Sequence, residues 1–114
     1  MHELGTIYYV IDTVEKLMVE HELTKVGSIT LEVGEVSGII PEYLQEFWEY
    51  ARKKTEHFQD TELKIEKLDA VTYCQDCANT YPTMQYGKTC PYCNSGNTFL
   101  VTGNEYNIKE IEAI

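Results

Sequence analysis

Cys74-Gln75-Asp76-Cys77, then twelve residues, then Cys90-Pro91-Tyr92-Cys93: this stretch contains every cysteine of the 114-residue chain. A C-x-x-C turn aims both of its thiolates at one point. Two such turns facing each other make a tetrahedral cage of four sulfurs, which suits Zn²⁺. Pro91 stiffens the second turn, and Gly96 frees the chain just after it. Iron in the same cage is left open by spacing alone. Two disulfides would need an oxidising compartment, of which the sequence carries no sign. A thioredoxin-like redox centre would use one C-x-x-C at a helix start, not two. Four thiolates leave no coordination position for water or substrate, so the metal is read as structural. It supplies the stability that a module of about 30 residues cannot draw from buried apolar surface. Val71, Thr72 and Tyr73 lead in, and Phe99, Leu100 and Val101 lead out, as short strands of a zinc ribbon over residues 71–101.

The flanks decide how the ribbon is carried. Residues 3–20 predict a helix: Leu4, Ile7, Ile11, Val14 and Met18 recur at spacings of three and four, widened by Tyr8 and Leu17. Residues 26–36 predict a strand, with Ile29, Leu31 and Val33 alternating with polar residues. Pro41 fits a first helical turn, Glu42 favours its positive end, and Leu44, Phe47, Trp48 and Ala51 give a second apolar stripe. Arg52, Lys53 and Lys54 close that helix. A second strand runs from about Leu63 to Leu68. After the ribbon, Thr102-Gly103-Asn104 is a turn, and the ten residues that follow cannot make a domain. They should pair with the strands of the first part. The expected fold is α+β: two helices packed on a three-stranded sheet, formed by residues 1–70 plus 102–114, with the zinc ribbon inserted.

The second place with chemistry is the amino end, Met1-His2-Glu3. A histidine at position 2 offers three nitrogens: the terminal amine, its own backbone amide and its imidazole. Adjoining chelate rings favour a planar arrangement, which suits Ni²⁺ or Cu²⁺. Glu3 can add an oxygen. His21, at the end of the first helix, and His57, in a polar loop, are read as solvated residues.

Met1-His2-Glu3-Leu4, the C-x-x-C…C-P-x-C block, Leu44 with Phe47, and Gly103-Asn104-Glu105 together make a sequence that resembles the HypA/HybF family of hydrogenase maturation nickel metallochaperones. The resemblance covers essentially the whole chain. It implies Ni²⁺ held by Met1 and His2 with Glu3 as accessory, and Zn²⁺ held by Cys74, Cys77, Cys90 and Cys93. It implies delivery to the large subunit of [NiFe]-hydrogenase beside a nickel-associated maturation GTPase, with urease maturation proteins as further partners in some organisms. A cytoplasmic monomer or weak homodimer is expected. Some members carry a carboxylate in the loop before the second helix. Here Ile39, Ile40 and Pro41 stand there, and Glu42 is the nearest acid.

Composition bounds the alternatives. The formal charge is −10, and a Zn(Cys)₄ centre takes it to about −12. Such a surface repels nucleic acid and anionic lipid, which counts against the rival reading of a nucleic-acid-binding zinc ribbon. A ribbon serving only protein interaction is the other alternative. No apolar run reaches membrane-spanning length. No catalytic triad, phosphate loop or paired catalytic carboxylates appear, so the chain is read as a non-enzyme.

Overall fold

Apolar spacing sets the first element. In the computed structural model, which describes residues 2–114 except for the side chain of His2, α1 runs His2–Glu20. Ile7, Val10, Ile11, Val14 and Met18 are its buried stripe. Tyr8 does not widen that stripe as its spacing suggested: it is 51% exposed, and Val10 takes the inward position instead. The helix ends in a Schellman turn. Glu22 adopts φ 55°, and the Leu23 amide donates to the Met18 carbonyl at 2.8 Å.

The strand β1, Val26–Gly34, is the middle of a three-stranded sheet ordered β2-β1-β6. Its partners are β2, Glu62–Leu68, and β6, Tyr106–Ala113, so the carboxyl-terminal tail does complete the sheet. Ile29, Leu31 and Val33 are buried as their alternation required, and Ser28 and Thr30 are buried as well. Ion pairs between the outer strands accompany that second burial: Lys64 with Glu112 at 3.1 Å and Lys109 with Glu66 at 2.9 Å. Ser28 Oγ donates to Glu112 at 2.9 Å.

The helix α2, Pro41–Arg52, starts with proline in its first turn and buries Leu44, Trp48 and Ala51. It packs against α1. Trp48 packs on Phe58, and its indole N–H donates to the Thr61 carbonyl at 3.0 Å. Thr61 in turn donates to Val26 O at 2.7 Å. These bonds tie the turn after α2 to the start of β1 without leaving a buried polar group unpaired.

A second sheet is ordered β4-β3-β5. Its strands are β3, Val71–Cys74, β4, Thr80–Pro82, and β5, Thr98–Thr102, and the short helix α3, Thr83–Tyr86, follows β4. Both outer strands pair antiparallel with β3. The chain divides into two compact units. One comprises Met1–Glu32, Ile39–Glu66 and Asn107–Ile114, and the other comprises Val33–Gly38 and Lys67–Tyr106.

In the second unit three passes of backbone meet at glycines. A Cβ on Gly34 would lie 2.1 Å from the Gly103 carbonyl oxygen, and one on Gly103, at φ +115°, would lie 2.4 Å from Ala70 Cα. The Gly34 amide donates to Glu105 O at 2.7 Å, and the Val36 amide to Gly103 O at 2.8 Å. Only residues without a side chain allow this approach.

Candidate metal centre

The two C-x-x-C turns fold alike because each repeats the same hydrogen bonds. The Cys74 amide donates to Asn79 O, and the Ala78 amide to Cys74 O, both at 2.9 Å. The Cys90 amide donates to Ser95 O, and the Asn94 amide to Cys90 O, again at 2.9 Å. The residue after each second cysteine is left-handed: Ala78 at φ 60° and Asn94 at φ 62°. That turn lifts both thiols of a pair to one side.

The four sulfurs converge, all lying within 4.8 Å of one another. Cys74 and Cys93 approach to 3.5 Å, as do Cys77 and Cys90. A disulfide would require about 2.05 Å, and all four cysteines are free. A tetrahedron with metal–sulfur bonds of about 2.3 Å has edges near 3.8 Å, so the donor set fits a single tetrahedral ion. The four cysteines are therefore positioned to bind a metal.

Polar neighbours hold the cage. The side-chain amide of Asn79 donates to Cys77 Sγ at 3.4 Å, and the Tyr92 amide to Cys90 Sγ at 3.4 Å. Asp76 ties the two turns together, accepting from Ser95 Oγ and, at 3.2 Å, from Asn97 Nδ2. These two bonds hold its carboxyl below the usual range. The Asn79 side chain brings Cys77 down to about 7, helped by its own backbone bond and the neighbouring thiols against the opposing effect of burial. The Ser95 backbone bond pulls Cys93 down, but the Cys74 thiol, burial and the other two thiols push it up to about 12. A bound dication would override this division and ionise all four.

Beneath the cage the hydrophobic cluster is small: Cys74, Tyr81 and Cys90, with Cys77 packed against it. Tyr81 donates to Gly87 O at 3.0 Å. Asp76, Asn79 and Tyr81 were not picked out from sequence. A polar residue inside a C-x-x-C turn, and an aromatic midway between two such turns, are the signals that could have found them.

At the amino end, Met1 and the side chain of His2 lie outside the described residues. Glu3 is in the first turn of α1 and only 6% exposed. Its Oε2 accepts the Ile40 amide at 3.1 Å. Ile40 is the N-cap residue of α2 and makes no side-chain capping bond, so the Glu3 carboxylate does that work from another helix. Ile40 thus reaches the amino end through its backbone. His21 and His57 are exposed, as expected.

A family profile described as "Hydrogenase/urease nickel incorporation, metallochaperone, hypA" matches residues 1–113. The chain belongs to the HypA family. Among curated HypA proteins, the hydrogenase maturation factor of Geobacter sulfurreducens is 30% identical over 112 residues, covering 98% of both chains. That of Chlorobaculum parvum is 32% identical over 111 residues, covering 97% of both. The fold agrees with two solution structures. The Ni metallochaperone HypA from Helicobacter pylori superposes with a TM-score of 0.71 at 21% identity, covering 98% of this chain and 97% of that one. A second HypA protein gives 0.74 at 23% identity, covering 100% and 97%. This HypA-family chain therefore sits in the nickel metallochaperone family of hydrogenase and urease maturation, with a cysteine cage positioned for a metal.

Proposed function

We propose that this chain is a cytoplasmic carrier that takes up Ni²⁺ at its amino end and hands it to the large subunit of [NiFe]-hydrogenase. A maturation GTPase, not this chain, supplies nucleotide hydrolysis. The match of the HypA family over residues 1–113 carries the reading. Residues 1–70 plus 102–114 form the nickel-binding part, and residues 71–101 the zinc part. Cys74, Cys77, Cys90 and Cys93 hold Zn²⁺ structurally; the convergence of their sulfurs supports this. The terminal amine of Met1, the His2 amide and the His2 imidazole provide a planar set of nitrogens for Ni²⁺. Glu3 is the accessory residue, and its bond to Ile40 adds a second duty, fixing the first turn of α1 against the start of α2.

The chain needs no catalytic apparatus for this. Binding and release follow from protonation: amine, amide and imidazole must all lose protons to the metal, so affinity falls as pH falls. The test is transfer. Nickel-loaded, untagged protein is mixed with apo large subunit and the maturation GTPase, and nickel in the large subunit is followed by elemental analysis. Transfer that requires His2 supports the proposal. Equal transfer from His2→Ala protein, or none from either, contradicts it.

A further inference from the structure

The strand β5 is an edge of its sheet: β3 lies on one side, and no strand lies on the other among the described residues. Phe99, Leu100 and Val101 are 49%, 38% and 54% exposed. From Asn94 to Asn104 no residue is charged, in a chain where a quarter of all residues are. Edge strands are ordinarily blunted by lysine, proline, inward charge or a bulge, and of these β5 has only the bulge. Its one irregularity is a bulge at Val101, between the Thr72–Leu100 and Val71–Thr102 pairs. The bulge breaks the in-and-out alternation between Leu100 and Val101, whereas Phe99 and Leu100 pair regularly with Tyr73 and Thr72.

A cavity of about 380 Å³ opens beside this strand, walled by Val36, Thr72, Thr83, Phe99 and Leu100, with Lys88 as the charged lining residue among the described residues. Its hydroxyls are already engaged. Thr72 and Thr83 bond each other at 2.6 Å, and Thr98 donates to Lys88 O at 2.9 Å. The cavity also offers apolar contact to a side chain, from Val36, Phe99 and Leu100. Main-chain pairing along an edge together with a side-chain pocket is the recipe for binding an extended peptide. We propose that β5 and this cavity form a strand-addition site for an extended segment of a partner protein, with one apolar side chain in the cavity and one carboxylate at Lys88. A second copy of this chain fits less well. Each copy carries a formal charge of −10, so two copies repel each other.

The probe is a set of acetylated, amidated peptides alternating threonine with valine, with one phenylalanine placed at successive positions and a glutamate at one end. Each is titrated into the full, metal-loaded chain while amide exchange and chemical shifts are followed by NMR. The proposal expects slowed exchange along Phe99–Val101 with one peptide of the set. It also expects loss on N-methylation of the peptide's pairing amides, and binding weakened about tenfold or more by Val101→Lys, which charges an exposed edge. Lys88→Glu should weaken the glutamate peptide and be rescued by its lysine counterpart. No response at β5 with any peptide would overturn the proposal. So would binding that survives N-methylation, which would mean apolar adhesion only. Protection that rises with protein concentration in the absence of peptide would make the occupant a second copy and overturn the partner-segment assignment.

Discussion

Gly103 and Gly34 are where single atoms decide the structure. A methyl group at either position has no room, and at Gly103 the left-handed φ adds backbone strain. Gly103→Ala should destabilise the protein by at least about 2 kcal/mol, read as a lowered denaturant midpoint with an unchanged slope. A change under about 0.5 kcal/mol would show that the crossing relaxes freely. The Gly-Asn-Glu triplet was legible as a family mark, but its physical reason was not, because close approach of two distant backbones leaves no local pattern. Glu3 is the other decisive residue. Glu3→Ala leaves the Ile40 amide without its acceptor at the start of α2 and should cost about 1 kcal/mol. Glu3→Gln keeps an acceptor and should cost less, so nickel affinity lost in Glu3→Gln at near-native stability would mark the carboxylate as a donor to the metal. Unchanged affinity would leave it a purely structural residue.

At the level of elements, periodicity gave α1, α2 and β1 because each buries one regular stripe; the return of β6 to the first sheet came instead from the shortness of that segment, since its own alternation breaks between Ile108 and Ile111. Periodicity misjudged Tyr8, which lies at helical spacing but on the edge of the stripe. It also missed β4 and α3: the three residues of Thr80–Pro82 and four of Thr83–Tyr86 are too short to show a period. The convergence of Cys74, Cys77, Cys90 and Cys93 was legible to the residue, since two C-x-x-C turns bring their thiols to one place. The polar brace of Asp76, Ser95 and Asn97 was not, since it joins two turns that only the fold brings together. With only this small cluster beneath the cage, a metal held by the four cysteines would be the ribbon's main support. Cys90→Ser should therefore melt β3, β4 and β5 while α1 and α2 persist, seen as near-native helical signal in circular dichroism with collapsed NMR dispersion of residues 71–101. Loss of all helical signal would contradict it.

The sheet of β2, β1 and β6 makes a pH prediction. The Ser28 hydroxyl, then Lys64, hold Glu112 below the ordinary carboxylate value, and Glu112 in turn raises Lys64. The depressed carboxylate contributes stability that is complete above its unfolded value of about 4.3 and is lost as pH falls through the lower folded value. The raised lysine contributes below about 10.4 and is lost as pH climbs through its higher folded value. Between these limits the pair is flat. Ser28→Ala together with Lys64→Met should make denaturant stability less sensitive to pH below about 4.3 and leave the slope near neutrality unchanged. An altered slope near neutrality would place the linkage elsewhere.

For the whole molecule, the proposed function asks one chain to carry two kinds of metal chemistry: a resident tetrahedral ion in the cysteine cage and a planar one held by nitrogens at the amino end. The return of Tyr106–Ala113 to the first sheet was legible, because so short a segment can fold only by joining a sheet already begun. The course of Val33–Gly38 into the second unit was not, because the alternation of β1 runs on through Val33 without a break. The central claim is that the terminal amine itself binds nickel. The direct test is a Ni²⁺ titration by calorimetry, in one buffer, of the native chain, a chain extended by Gly-Ser before Met1, and His2→Ala. An extension turns the amine into an amide and breaks the chelate while keeping the imidazole. The account predicts that binding is nearly abolished in both variants, with zinc content and fold unchanged. Full affinity in the extended chain would contradict it.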